Sequence, residues 1–151
     1  MRGFGFFALD VVELVAWVVK IGRRGRNLTT NFAETDPAHA LFSLRPLTSE
    51  GGLGEVASVV RAAVERLPRW QLAGEGGRAD SVTLRCVRTT RWFRFKDDVV
   101  IRIEDQGAER VVSVTSSSRV GIGDLGQNPR NIKELFAALR EQPLFADEPG
   151  R

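Results

Sequence analysis

The stretch DDVVIRIEDQGAERVVSVTSSSRVGIGDLGQNPRNI, residues 97–132, decides the fold. Val99, Ile101 and Ile103 alternate with Val100, Arg102 and Glu104, and Val112 and Val114 alternate with Ser113 and Thr115. Period-two patterning gives each strand one packed and one wetter face, the signature of an antiparallel sheet. The DQG at 105–107 marks the turn between the two strands. Gly121, Gly123 and Gly126 then fall in the order G-x-G-x-x-G between a strand and a helix, as in a dinucleotide-binding loop. Three features exclude that reading. Asn128 and Pro129 place the helix start beyond the last glycine, whereas the fingerprint opens its helix inside the pattern. No parallel strand with an acidic end follows Leu139. The preceding strand alternates, where a central parallel strand is continuously apolar.

Working outward, four strands run in succession over about 69–75, 80–90, 91–105 and 109–119, with EGG at 75–77 as a further hairpin turn. Upstream, Val56, Val59, Val60, Ala63, Val64 and Leu67 recur at helical spacing until Pro68. Downstream, Ile132, Leu135, Phe136 and Leu139 form the apolar stripe of a last helix, with Asn128 as its cap. Residues 27–54 read as a connector with one short strand in ALFSLR, between Pro37 and Pro46. The expected fold is α+β: one curved antiparallel sheet in the order β-α-β-β-β-β-α, with both helices on one face. An amphipathic N-terminal helix and basic segment (1–26) precede this single domain (27–145), and a disordered tail (146–151) follows it.

The chain has 151 residues, 42% hydrophobic and 27% charged, values of an ordinary globular domain. Its net charge of +3 sits entirely in residues 1–26, where five basic residues face two acids; the remainder balances at seventeen of each. A basic end on a neutral domain argues against a nucleic-acid surface. In GFGFFALDVVELVAWVVKIGRRGR, residues 3–26, the charges of Asp10, Glu13 and Lys20 disfavour a membrane span. Cations that follow the apolar run disfavour a signal peptide. On a helix, Asp10, Glu13, Trp17, Lys20 and Arg24 share a narrow polar stripe. Phe4, Phe7, Val11, Val15 and Val18 belong to the wide apolar surface, and Arg23, Arg24 and Arg26 follow it. Such a helix suits the interface of an anionic membrane, on the inner face of a cytoplasmic leaflet; docking on a protein partner is the other reading.

The chemistry is sparse. Lone Cys86 cannot form an internal disulfide and reads as a buried small hydrophobe. Lone His39 reads as a surface residue, with no second histidine for a metal site. No metal, cofactor or catalytic nucleophile is expected. RCVRTTRWFRFK, residues 85–96, interleaves cations with aromatics. As a strand it places Phe93 and Phe95 in the core and its cations in solvent. Adjacent Asp97 and Asp98 point to opposite faces, so they form no acid–base pair; with Arg94 they are candidates for structural ion pairs, one acid pairing with Arg94 or Arg119 and the other beginning the strand in solvent. The loop from Ser116 through Ser118, Arg119, Gly121, Asp124 and Gly126 to Asn128 offers backbone amides and a helix N-terminus to an anion. As a purely structural turn, it would use Asp124 to hold backbone amides or Arg119.

LPRW at 67–70, RWFRFKDDVVIRIE at 91–104 and SSSRVGIGDLGQNPRNI at 116–132 resemble the family called domain of unknown function 1499, and NFAETDP at 31–37 is similar to a stretch preceding that domain. The resemblance covers about Asn31 to Leu139. It matches the family pattern at Arg94, Phe95, Asp97, Asp98, Ser116, Ser118, Arg119, Gly121, Asp124, Gly126 and Asn128. Thr115 stands where an arginine is usual, and Asn131 where a basic residue is frequent, which weakens any anion site built on arginines. The resemblance implies a fold and no activity. The function expected is a non-enzymatic, membrane-peripheral domain that binds a lipid or other amphiphile. The alternatives are an enzyme that acts on an anionic substrate at the 116–128 loop and an interaction module that docks through its N-terminal helix.

Overall fold

The computed structural model describes residues 31–119 and 126–145. The expectations for residues 1–26, for Gly121 and Asp124, and for the tail 146–151 lie outside them. The elements are β1 (Phe32–Glu34), β2 (Leu47–Ser49), α1 (Leu53–Arg66), β3 (Trp70–Arg78), β4 (Ser81–Thr89), β5 (Lys96–Asp105), β6 (Arg110–Ser118) and α2 (Gln127–Arg140). Two short 3-10 turns accompany them at Phe42–Leu44 and Pro143–Phe145. The six strands make one open antiparallel sheet.

β3 to β6 form a meander, because each strand pairs with the next through a short turn. The free edge of β6 is divided between two short strands. β1 pairs with Thr115–Ser117 and β2 with Arg110–Val112. The chain crosses from one to the other through the 3-10 turn, so ALFSLR is this crossing and not the short strand its pattern suggests. Covering an edge with short segments leaves fewer unpaired backbone groups for another chain to join.

The alternation survives in three dimensions. Leu84 and Cys86 of β4, Val99, Ile101 and Ile103 of β5, and Val112 and Val114 of β6 are buried on one face. Val56, Val60 and Val64 of α1 meet them, and so do Ile132, Leu135, Phe136 and Leu139 of α2. Helix α1 lies over β3 to β5, α2 over β6 and β1, and the two helices touch. α1 stops where expected: Leu67 is extended (φ −70°, ψ 129°), as a residue before proline must be.

Two turns differ from the sequence expectation. The EGG at 75–77 lies inside β3, and the chain reverses at Ala79 and Asp80. A side chain at Gly77 would run into the Ser81 carbonyl, so glycine serves close strand approach there rather than the turn. Residues 90–95 are not strand. They form the β4–β5 hairpin loop, closed by two bonds between Thr90 and Phe95: the Thr90 amide donates to the Phe95 carbonyl (2.8 Å), and the Phe95 amide to Thr90 Oγ1 (2.8 Å). Arg94 has φ 52°, which breaks the extended run. Phe93 and Phe95 therefore stand in solvent, not in the core.

Candidate functional site

The last residues of β6 and the first turn of α2 meet over the start of β5, and there the buried face of the sheet turns polar. Ser116, Asp97, Asn128 and Asn131 are buried within an otherwise apolar layer. Gly126 takes the left-handed conformation (φ 77°) at the cap position, so α2 opens at Gln127. Asn128 is thereby carried into the first turn as its second residue. It is not the N-cap, and its side chain reaches the sheet.

The members of the cluster bond one another. Ser116 Oγ donates to Asn128 Oδ1 (2.6 Å), and Asn128 Nδ2 donates to Ser118 Oγ (3.1 Å). Ser118 Oγ donates to Asp97 Oδ1 (2.8 Å), and Asn131 Nδ2 to Asp97 Oδ2 (2.8 Å) and Ser116 Oγ (3.1 Å). Gln127 Nε2 completes the set by donating to Asn131 Oδ1 (2.7 Å). Polar groups placed this deep must be bonded, and these bond one another. Their chemical work is to clamp α2 to the ends of β5 and β6.

Asp98, next in sequence, faces the other way. Arg119 Nε and Nη2 grip its carboxylate at 2.8 and 2.6 Å in an exposed bidentate pair. The hydrogen bond to Asp98 also raises the Arg119 pKa. Of the two arginines expected to pair with one of these acids, Arg119 takes Asp98, and Asp97 is buried rather than in solvent. Asp97 is held by Ser118 and Asn131, Asp98 by Arg119, and Arg94 sits in the hairpin loop. Of the 116–128 loop, Ser116, Ser118 and Asn128 converge, Arg119 is occupied by Asp98, and Gly126 shapes the helix entry.

Arg88 was not singled out from sequence. It is buried on the core face of β4, opposite Trp70 of β3 and Asp97 of β5. Its Nε lies 3.5 Å from Glu134 Oε2 as an ion pair without a hydrogen bond, and that oxygen accepts from Trp70 Nε1 (3.1 Å). The signal was available: Arg88 continues the inward series of Leu84 and Cys86 at period two. Cys86 is buried, and burial pushes its thiol up to about 12. His39 accepts from the Leu41 amide through Nδ1 (3.0 Å) in the connector. No group of histidine, cysteine and acidic side chains suited to a metal occurs among the described residues, and no helix there is long and apolar enough to cross a membrane.

The hairpin loop exposes what its neighbours bury. Trp92 is 81% and Phe93 77% accessible, and Phe95 is exposed as well. Phe93 and Phe95 stack with ring centroids 5.5 Å apart, and the Arg91 guanidinium lies 5.3 Å from the Trp92 ring centre.

The pattern of the family described as "Protein of unknown function (DUF1499)" matches residues 26–139. The chain belongs to that family. Among curated proteins, none matches it.

Proposed function

We propose that this member of the DUF1499 family is a non-enzymatic, membrane-peripheral domain at the cytoplasmic face of a membrane, with a lipid or similar amphiphile as its ligand class. The observation that carries the reading is the segment 4–26. At helical spacing its sequence groups Phe4, Phe7, Val11, Val15 and Val18 with other apolar residues, Arg23, Arg24 and Arg26 follow them, and the whole net charge of the chain lies in residues 1–26. Apolar burial at the headgroup boundary and attraction of the arginines to anionic lipid act together in such a segment. Among the described residues, Ser116, Ser118, Asn128, Asn131 and Asp97 hydrogen-bond one another, which favours a structural role for them. Arg119, the cation an anionic substrate would need, is gripped by Asp98.

The test is flotation of the full chain with vesicles of phosphatidylcholine alone and of phosphatidylcholine mixed with phosphatidylserine. The chain floats with the mixed vesicles, and Val11→Glu with Val18→Glu abolishes flotation without changing the melting temperature. A wild-type chain that floats with neither overturns the reading. Oligomers that dissociate in the same double variant would assign the segment to a protein partner instead.

A further inference from the structure

We infer that the β4–β5 hairpin tip, Arg91 to Lys96, is a second lipid contact, which inserts Trp92 and Phe93 at the headgroup level of an anionic membrane. The inference deepens the membrane-peripheral reading and rests on it, but separate observations carry it.

The first is exposure against expectation. Large aromatic side chains are the groups that folding most strongly removes from water. Here Trp92 and Phe93 stand almost fully in solvent, with Phe95 beside them, on a loop whose ends are fastened by the two Thr90–Phe95 bonds. The loop is therefore a built projection that holds apolar rings outward at little further cost in ordering.

The second is charge. Arg91, Arg94 and Lys96 interleave with the rings, and residues 90–96 contain no acid. The acids next in the chain are already engaged, Asp97 by Ser118 and Asn131 and Asp98 by Arg119. Exposed Arg69 adds a cation at the same place, because its carbonyl accepts from the Thr89 amide at the base of the tip (2.9 Å). Rings flanked by cations that form no ion pair among the described residues are complementary to an anionic interface. There aromatic side chains settle at headgroup depth and basic ones meet phosphate and carboxylate.

The third is position. Asn31, where the described chain begins, accepts from the Ser118 amide (2.9 Å), and the Arg119 amide donates to the Lys96 carbonyl (3.0 Å). The register pairs Phe32 with Ser117 and Asp97 with Ser118. The described chain therefore begins, at Asn31, at the same end of the sheet from which the tip projects, two strand spacings away, on the order of 10 Å, and the basic segment 1–26 precedes it in sequence by four residues. A segment lying on a membrane and a tip reaching it from the same end define one membrane-facing end of the domain. Two modest contacts on one chain also reinforce each other, since the first raises the local concentration of the second.

The experiment uses the full chain with Trp17→Phe, leaving buried Trp70 and exposed Trp92, and the same chain with Trp92→Phe as the subtraction. The vesicles are phosphatidylcholine with phosphatidylserine, with and without brominated acyl chains. Binding shifts the Trp92 emission to the blue and brings bromine quenching that the Trp92→Phe chain lacks. Trp92→Ala with Phe93→Ala lowers partitioning by about tenfold or more. Arg91→Gln and Lys96→Gln each lower it by about fivefold on anionic vesicles and leave neutral ones unaffected. All these side chains are exposed, so an unchanged melting temperature confirms folding. If the chain floats while Trp92 emission stays unmoved and the double alanine variant floats equally, the tip inference is overturned and the N-terminal anchor stands. If the double alanine variant instead dissolves an oligomer and floats as before, the tip is a protein contact and the inference falls. A wild-type chain that never floats removes both.

Discussion

Exchanging Asp97 for asparagine, and separately Asp98 for asparagine, subjects two adjacent carboxylates to the same chemical change in opposite surroundings. Asp97 is 1% exposed, and both its oxygens accept: Oδ1 from Ser118 and Oδ2 from Asn131. Asparagine has one acceptor and one donor, so whichever way it turns, an NH2 group faces a donor. Asn131 cannot turn its own amide to help, because its Oδ1 is taken by Gln127 Nε2. Ser118 Oγ, which accepts from Asn128, could accept a second bond only by turning its own hydroxyl proton away from position 97 and leaving it without that acceptor. The exchange loses one charge-assisted bond, worth about 1.5–3 kcal/mol, and leaves an opposed buried donor costing about 1–3 kcal/mol. Part is recovered because a buried charge disappears, which leaves a net loss of about 2–4 kcal/mol. For a domain of this size that lowers the melting temperature by about 8–15 °C. Asp98 sits in an exposed pair with Arg119, and such pairs contribute about 0–1 kcal/mol. The assay is thermal unfolding followed by circular dichroism, with urea titration as a check on two-state behaviour. If Asp97→Asn moves the midpoint by less than about 2 °C, or no more than Asp98→Asn does, the cluster is not the clamp described above.

Cys86 is expected to resist an aromatic disulfide reagent at pH 8 in the folded protein and to react at once in denaturant, since burial holds its thiol up to about 12. Rapid labelling of the native chain would contradict this. At the β5–β6 turn, the Gly107 amide donates to the Asp105 side chain (2.9 Å). That bond first, with Arg110 adding to it, lowers the Asp105 carboxyl below its ordinary 3.8. A lowered folded value means that Asp105 supports the fold above its ordinary value, and that the support is lost as pH falls through the lowered one. An NMR titration that places the Asp105 carboxyl at or above 3.8 would refute the assignment.

The order of elements could be read from the sequence because it depends on local periods. Val99, Ile101 and Ile103 repeat at two, Val56, Val60 and Val64 at four, and burial of either series needs only one apolar layer. The end of α1 was readable to the same extent: Pro68 ends it through the geometry of its own ring. The α+β class, the single antiparallel sheet and the family all follow from patterns within a few residues. The tertiary structure decided what depends on partners distant in the chain. RTTRWFRF continues an alternating pattern, so nothing local distinguishes a strand from a loop there. Only closure by Thr90 and the left-handed Arg94 put Phe93 and Phe95 in water. Asn128 had the composition of a cap, yet Gly126 took that place and turned Asn128 toward Ser116 and Ser118. Whether Asp98 would meet Arg94 or Arg119 depended on β5 and β6 lying side by side in one register. A period is written in neighbouring residues; a hydrogen-bond partner is chosen by what the folded chain brings within 3 Å.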